Sequence, residues 1–165
     1  MTFITFPRRF ASAAAGVTPR SVEHHLQKLF PITNGIRCHE VSGSHTIVSQ
    51  AVPSDMIRPG GFISGPFQFS MADLGMWVMS WGKNGIEAMS LTSELSIRFV
   101  RPARGSVLWA RVDLNAHAGR NIISTATLWA TEEADGTLTA YDTIIERGLA
   151  KPCSVAQGTY VVPRT

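Results

Sequence analysis

Between Phe67 and Trp81, apolar residues fall on almost every side of a 3.6-residue period: Phe67, Phe69, Met71, Leu74, Met76, Trp77, Val78, Met79 and Trp81. A helix that is apolar all round has to be surrounded by protein. Pro66 suits a first turn, where its missing N–H costs nothing, and Gly82 offers a stop. The pattern predicts one long buried helix over about 66–81. Downstream the period changes to two. Leu91, Leu95, Ile97 and Phe99 alternate with Thr92, Glu94, Ser96 and Arg98, which predicts a strand with one face buried. Further strands are predicted from Val107 to Asn115, Asn121 to Thr131 and Val155 to Val162, with turns at 102–105 and 119–120. Strands joined by short turns pair antiparallel. Upstream, Ser21 is placed to cap a short amphipathic helix carrying Val22, Leu26, Leu29 and Phe30, which Pro31 stops. His45 to Val52 reads as a strand of partial alternation. One long helix and one antiparallel sheet make an α+β architecture in which the sheet wraps the helix.

Two stretches stand outside this pattern. Residues 1–20 read as an N-terminal extension to a single domain at 21–165, and residues 134–150, after a turn signal at Asp135-Gly136, read as either a strand or a short helix. The 165 residues, 44% hydrophobic and 16% charged, suffice for one domain with its own core. The net charge of +3 changes the picture only through its placement. Arg8, Arg9 and Arg20 precede the first acid, Glu23, leaving twelve basic and twelve acidic residues over the rest of the chain. A neutral body without aromatic–basic interleaving argues against a nucleic-acid partner. The apolar run 67–81 contains Asp73 and is too short to span a bilayer, so no membrane partner is expected. Cys38 and Cys153 lie far apart in sequence without metal-ligand spacing, so no metal site, no disulfide framework and a reducing compartment are expected. The acid-free extension, bearing Arg, Ser and Ala, is similar to an organellar transit peptide. The expected location is cytoplasmic, or the mitochondrial matrix if that extension is a targeting segment.

The chemistry centres on Asp73. A carboxylate in a buried helix needs compensation, and positions 66, 70, 73, 77 and 80 share one face, which sets Ser70, Asp73 and Ser80 in a polar stripe. Either an architectural hydrogen-bond role or a catalytic one fits that placement. The second candidate is the turn before the helix. Gly60, Gly61 and Gly65 allow close backbone approach, and N–H groups at a helix N-terminus can polarise a carbonyl oxygen. No Gly-Lys-Ser/Thr follows, so the turn is no phosphate loop, and Ser64-Gly65 lacks the nucleophile elbow of serine hydrolases. His24, His25, His39, His45 and His117 show no ligand spacing. Arg98, Arg101, Arg104 and Arg120 fall on the sheet and its turns, where arginines normally form a solvated face.

The order and spacing of these elements resemble the hotdog-fold acyl-CoA thioesterases of the PaaI type, over about 21–133 and again over 152–163. The family loop, roughly Asn-x-x-Gly-x-x-His-Gly-Gly, is similar to Arg58-Pro59-Gly60-Gly61-Phe62-Ile63-Ser64-Gly65-Pro66. Its Leu-Ala-Asp helix motif corresponds to Met71-Ala72-Asp73, and its strand ending in Arg-Pro to Arg101-Pro102. Gly119-Arg120 and Ala156-Gln157-Gly158-Thr159-Tyr160 fit the later pattern, and a subgroup with Ser-Gly-Pro in the loop looks especially close.

The resemblance implies a hotdog fold and hydrolysis of an acyl-CoA to free acid and CoA, without a cofactor. It implies that the Gly65 N–H polarises the thioester carbonyl, that Asp73 is nucleophile or general base, and that Thr92 positions the water. Arg58, Gly61, Ser64, Arg98 and Arg120 are the expected substrate-binding residues. The resemblance also implies a homodimer or homotetramer, in which Gly65 and Asp73 of one site come from different subunits. Against the family pattern, Arg58 replaces the loop Asn, Ser64 replaces the loop His, and residues 134–150 stand as an insertion where relatives have only a short turn; a hotdog dehydratase would need a catalytic His that the loop lacks. The alternative is a non-catalytic module that binds acyl-CoA.

Overall fold

A computed structural model of the chain describes residues 11–33, 35–132, 141, 145, 148 and 150–164. Its elements are α1 (Pro19–Leu29), β1 (Ile36–Val41), β2 (His45–Ala51), β3 (Ile57–Arg58), β4 (Phe62–Ile63), α2 (Gly65–Asn84), β5 (Leu91–Phe99), β6 (Val107–Ala118), β7 (Asn121–Thr131) and β8 (Ser154–Val161). Six strands form one sheet in the order β1-β2-β6-β7-β8-β5, with every neighbouring pair antiparallel. The short β3 and β4 pair with each other as the chain enters α2. This is the α+β hotdog arrangement, with α2 lying across one face of the curved sheet.

α2 buries Met71, Met76, Met79 and Trp81 against Val48, Leu108, Val112, Ile122 and Leu128 of the sheet. Gly82 does not stop it. The helix runs on to Asn84 and ends at Gly85, whose φ of 96° is the conformation glycine tolerates. Gly82 is small for a packing reason, since a Cβ there would collide with the backbone oxygen of Ser42 in the β1–β2 hairpin. α1 likewise begins earlier than the sequence suggests. Thr18 is its N-cap, and Ser21 completes the capping box from the third helical position. Val22 and Leu26 are buried, while Leu29 and Phe30 are exposed. β1 escapes the sequence reading because its six residues, IRCHEV, hold too little alternation to count as a strand.

The decisive departure lies in β5. Simple alternation puts Leu91, Leu95, Ile97 and Phe99 on one inner face. A β-bulge between Thr92 and Glu94 shifts the register against β8. A one-residue shift exchanges the two faces of a strand. Beyond the bulge Leu95 and Ile97 pack against the core, as alternation predicts. Before it the faces are exchanged, so Thr92 turns toward α2 and Leu91 is left 65% exposed. Across the bulge stands Gly158, where a Cβ would lie 2.8 Å from both the Glu94 backbone oxygen and the Met76 sulfur. Phe99 is also 53% exposed, and β5 is an edge strand, so the buried face expected for it is not formed within one chain.

A second, smaller apolar cluster covers the outer face of the sheet. Trp109 and Trp129 meet Tyr141 there at ring-centroid distances of 5.6 and 6.3 Å, and Ile145 is buried beside them. Tyr141 and Ile145 fall in the stretch 134–150, expected as an insertion, most of which lies outside the described residues, as do residues 1–10.

Replacing Gly158 with Ala should destabilise the protein by about 1–3 kcal/mol, the usual range for forcing an extra group into a packed site. Urea unfolding checks this, and a midpoint equal to that of the parent would show that the bulge does not need the glycine.

Candidate functional site

Two centres flank α2, and both depend on how the helix begins and how β5 bulges. The first is Asp73, half-buried in the second turn and a half of the helix. The compensation for its carboxylate does not come from the helix stripe. Ser80 is buried and donates to the Trp77 carbonyl at 2.7 Å, and Ser70 is exposed. It comes from the sheet. Thr92 Oγ1 donates to Asp73 Oδ1 at 2.7 Å, and the Tyr160 hydroxyl donates to the same oxygen at 2.8 Å, with the Asp73 carbonyl 3.1 Å away. Oδ2 receives no hydrogen bond among the described residues, so one carboxylate oxygen is fixed and the other keeps its lone pairs. Burial raises the Tyr160 phenol far above its ordinary value, and the Asp73 charge raises it further. The phenol therefore stays protonated and remains a donor.

Sequence alone passed over Tyr160 as a site residue. The signal was present: Ser154, Ala156 and Gly158 alternate inward as small residues, and Tyr160 ends that row with a polar tip. A buried tyrosine hydroxyl generally finds a partner.

The second centre is the N-terminus of α2. Ser64 is the N-cap, and its Oγ accepts from the Phe67 N–H at 3.4 Å. The Gly65 N–H has no hydrogen-bond partner among the described residues, as expected in a first helical turn. Gly65 lines a cleft of about 700 Å³ whose wall also includes Arg58, Phe62, Gln68, Phe99 and Arg101. A Cβ on Gly65 would lie 3.2 Å from the Phe99 ring, so a larger residue there would press on that ring. On the other flank of the same turn a cavity of about 380 Å³ runs beside Phe67, Ser70 and Leu74, closed by Phe30, Ile36 and Met56.

The residues singled out from sequence divide between these places. Arg58 borders the cleft, and Gly61, with φ of 77°, makes the turn between β3 and β4 that carries it. Ser64 caps the helix and Thr92 meets Asp73. Arg98 alternates with Ile97 and Phe99 and so stands on the other face of β5. Arg120 sits at the β6–β7 turn, where its guanidinium donates to the Val162 carbonyl at 3.5 Å, at the end of the sheet opposite Gly65. Arg101 and Arg104 stand nearer the cleft. Arg101 lines it, and Arg104 lies over the Phe62 ring with 4.0 Å to the centroid.

Another polar cluster mimics a hydrolase triad without the capacity for it. His45 contacts Glu40 Oε1 through Nε2 at 2.7 Å and Ser42 Oγ through Nδ1 at 3.1 Å. Ser42 Oγ, however, donates to the His45 carbonyl and accepts from the Ser44 and His45 N–H groups. It is buried and serves the hairpin turn. No group of three or more His, Cys, Asp or Glu among the described residues is arranged to hold a metal ion, and no helix among them is long and apolar enough to cross a membrane.

Residues 60–135 match the family model described as the Thioesterase superfamily, a stretch that contains the Gly65 turn, Asp73 and Thr92. No curated protein matches the chain. Among solved structures, a candidate thioesterase from Silicibacter sp. TM1040 superposes with a TM-score of 0.72 at 19% identity, covering 93% of this chain and 96% of the other. The Escherichia coli PaaI protein of the phenylacetic acid degradation operon gives a TM-score of 0.62 at 14% identity over 86% and 95% of the two chains. A Streptococcus mutans protein solved with acetyl CoA bound gives 0.60 at 15% identity over 78% and 88%. Sequence match and architecture thus agree: residues 60–135 are similar to the thioesterase superfamily, and the chain has the hotdog fold.

Proposed function

We propose that the protein hydrolyses an acyl-CoA thioester to the free acid and CoA. The observation that carries this reading is the Asp73 carboxylate, held at one oxygen by Thr92 and Tyr160 and without a partner at the other among the described residues. Such a group either attacks the thioester carbonyl to give a mixed anhydride, later opened by water, or takes the proton of a water that attacks directly. In both routes the C–S bond breaks, the thiolate leaves with the sulfur electron pair and is then protonated. The acetyl CoA held by the Streptococcus mutans relative supports the choice of carrier.

The carbonyl oxygen gains charge as attack proceeds, and the unpartnered Gly65 N–H, reinforced by the helix dipole, supplies a donor for it. Gly65 and Asp73 are eight residues apart on one helix, about 12 Å along its axis at 1.5 Å per residue. One thioester cannot touch both within a single chain. The reading therefore requires a homodimer, possible also as half of a tetramer, in which Gly65 of one subunit faces Asp73 of another. The exposed edge strand β5, with Leu91, Phe99, Val100 and the nearby Phe69 uncovered, supports a second copy on that side. Thr92 and Tyr160 then act as positioning residues for the carboxylate, Arg58 reaches the substrate from the loop, and the cavity beside Leu74 and Phe67 accepts apolar acyl atoms.

Three outcomes test this reading by free-thiol release from a panel of aryl-, short- and long-chain acyl-CoAs. Asp73→Asn should lower kcat by about 10²–10⁴, the usual worth of a positioned acid–base group, with the circular dichroism spectrum retained. Unchanged turnover would refute Asp73 as the reactive group. Tyr160→Phe should lower kcat by about tenfold with little change in KM, because it loosens the carboxylate without touching substrate. Gly65→Pro should lower kcat by about 10²–10³ by removing one N–H at a helical position that tolerates proline, whereas Gly65→Ala keeps the donor and should lose far less. Equal losses in the two variants would mean that space, not the N–H, matters there.

A further inference from the structure

Trp109 and Trp129 stand directly opposite each other on β6 and β7, on the side of the sheet away from α2. Two indoles paired there would make an exposed aromatic patch if the sheet stood alone. Both are buried instead, at 0% and 9% exposure. Their cover is specific. The Tyr141 ring meets both indoles and is itself buried. Its hydroxyl accepts from Arg111, whose Nε also donates to both carboxylate oxygens of Asp113 at 3.1 Å. Trp109 Nε1 donates to Thr131 Oγ1 at 3.1 Å, and the His39 ring lies 4.9 Å from the Trp109 ring. A tyrosine with its ring among aromatics and its tip on a paired guanidinium has both of its halves satisfied.

The rest of this outer face is mainly polar. From Arg111 and Asp113 the strand register leads to Thr127 and Thr125 on β7, then to Val155 and Gln157 on β8. It ends at Arg98 and Ser96 on β5, and Gln157, Arg98 and Ser96 are exposed. Among the described residues, the exposed large apolar side chains lie in or next to α1, β3, α2 and β5. None is on β2, β6, β7 or β8. Copies of a protein associate stably through a well-packed patch with an apolar, charge-depleted centre. On the outer side of the central strands, the aromatic ground fit for such a centre is the part already taken by Tyr141.

We infer that Tyr141, held by Arg111 between Trp109 and Trp129, is the chain's own occupant of a surface through which two sheets would otherwise stack. The outer face is thereby closed to a second copy, and association is left to the side of β5 and α2. This does not depend on the reaction, since Asp73 and α2 lie on the opposite side of the sheet.

Tyr141→Ala uncovers the two indoles. Light scattering coupled to gel filtration should show the particle mass doubling relative to the parent protein at equal concentration. Tyr141→Phe keeps the ring, loses only the contact with Arg111, and should retain the parental mass. A Tyr141→Ala protein with a native near-ultraviolet circular dichroism spectrum and the parental mass overturns the inference. A second measurement does not require that variant to fold. Gln157→Cys places a thiol on the outer face while Cys38 and Cys153 remain buried, and maleimide should modify it in the native protein as fast as in urea. Strong protection of that thiol would mean that a second copy already covers the face, and the inference would again fall. Thiol release from acyl-CoAs, read on the same samples, bears only on the thioesterase reading.

Discussion

A helix that is apolar on nearly every side cannot rest on a surface, and the rest of this molecule is arranged to enclose one. The sheet curves around α2 because Met71, Met76, Met79 and Trp81 all need apolar partners at once. The enclosure is tight enough to demand missing side chains. Gly82 lets the helix meet the β1–β2 hairpin, and Gly158 lets β8 pass Met76 and the bulged backbone at Glu94. Burial of this kind is driven by the apolar area removed from water, at roughly 25 cal/mol per Å².

Placing a carboxylate in that helix creates the central problem of the fold, since an unpaired buried charge is strongly unfavourable. The solution is local. The β5 bulge turns Thr92 inward, and the small residues of β8 leave room for Tyr160 to reach the same carboxylate oxygen. Two neutral donors meet one oxygen, and the other is left without a partner among the described residues. Tyr160 cannot yield its proton there, because burial and the neighbouring negative charge both oppose phenolate formation. The arrangement that makes Asp73 tolerable is thus the same one that aims it.

Much of this was legible in the chain. The all-round apolar run marked α2, the period of two marked β5 through β8, and the fold class followed from having one of each. Asp73 stands out as the acid in an apolar helix, and the glycines before Pro66 mark the turn at which α2 begins. Helical periodicity sets Ser70 and Ser80 on the face of Asp73, yet the compensation comes from Thr92 and Tyr160, because periodicity reports neighbours within an element and is silent about those across one. The arginines divided for the same reason. Arg98 and Arg120 look as eligible in sequence as Arg101 and Arg104, yet of these four only Arg101 lines the cleft, and Arg104 lies over Phe62 of its wall.

What the sequence determined by itself is therefore the inventory and its local form: a helix that must be enclosed, strands that must pair, an acid that must be compensated. These follow from periodicity and from the cost of burying charge, both of which act residue by residue. What only the tertiary structure decided is which groups meet. A single unpaired residue at the bulge reverses the face of Thr92, and nothing in the alternation of Leu91, Leu95, Ile97 and Phe99 announces it. Strand register is a property of two chains of residues packed together, so the contact between Thr92, Tyr160 and Asp73 exists only once β5, β8 and α2 are assembled.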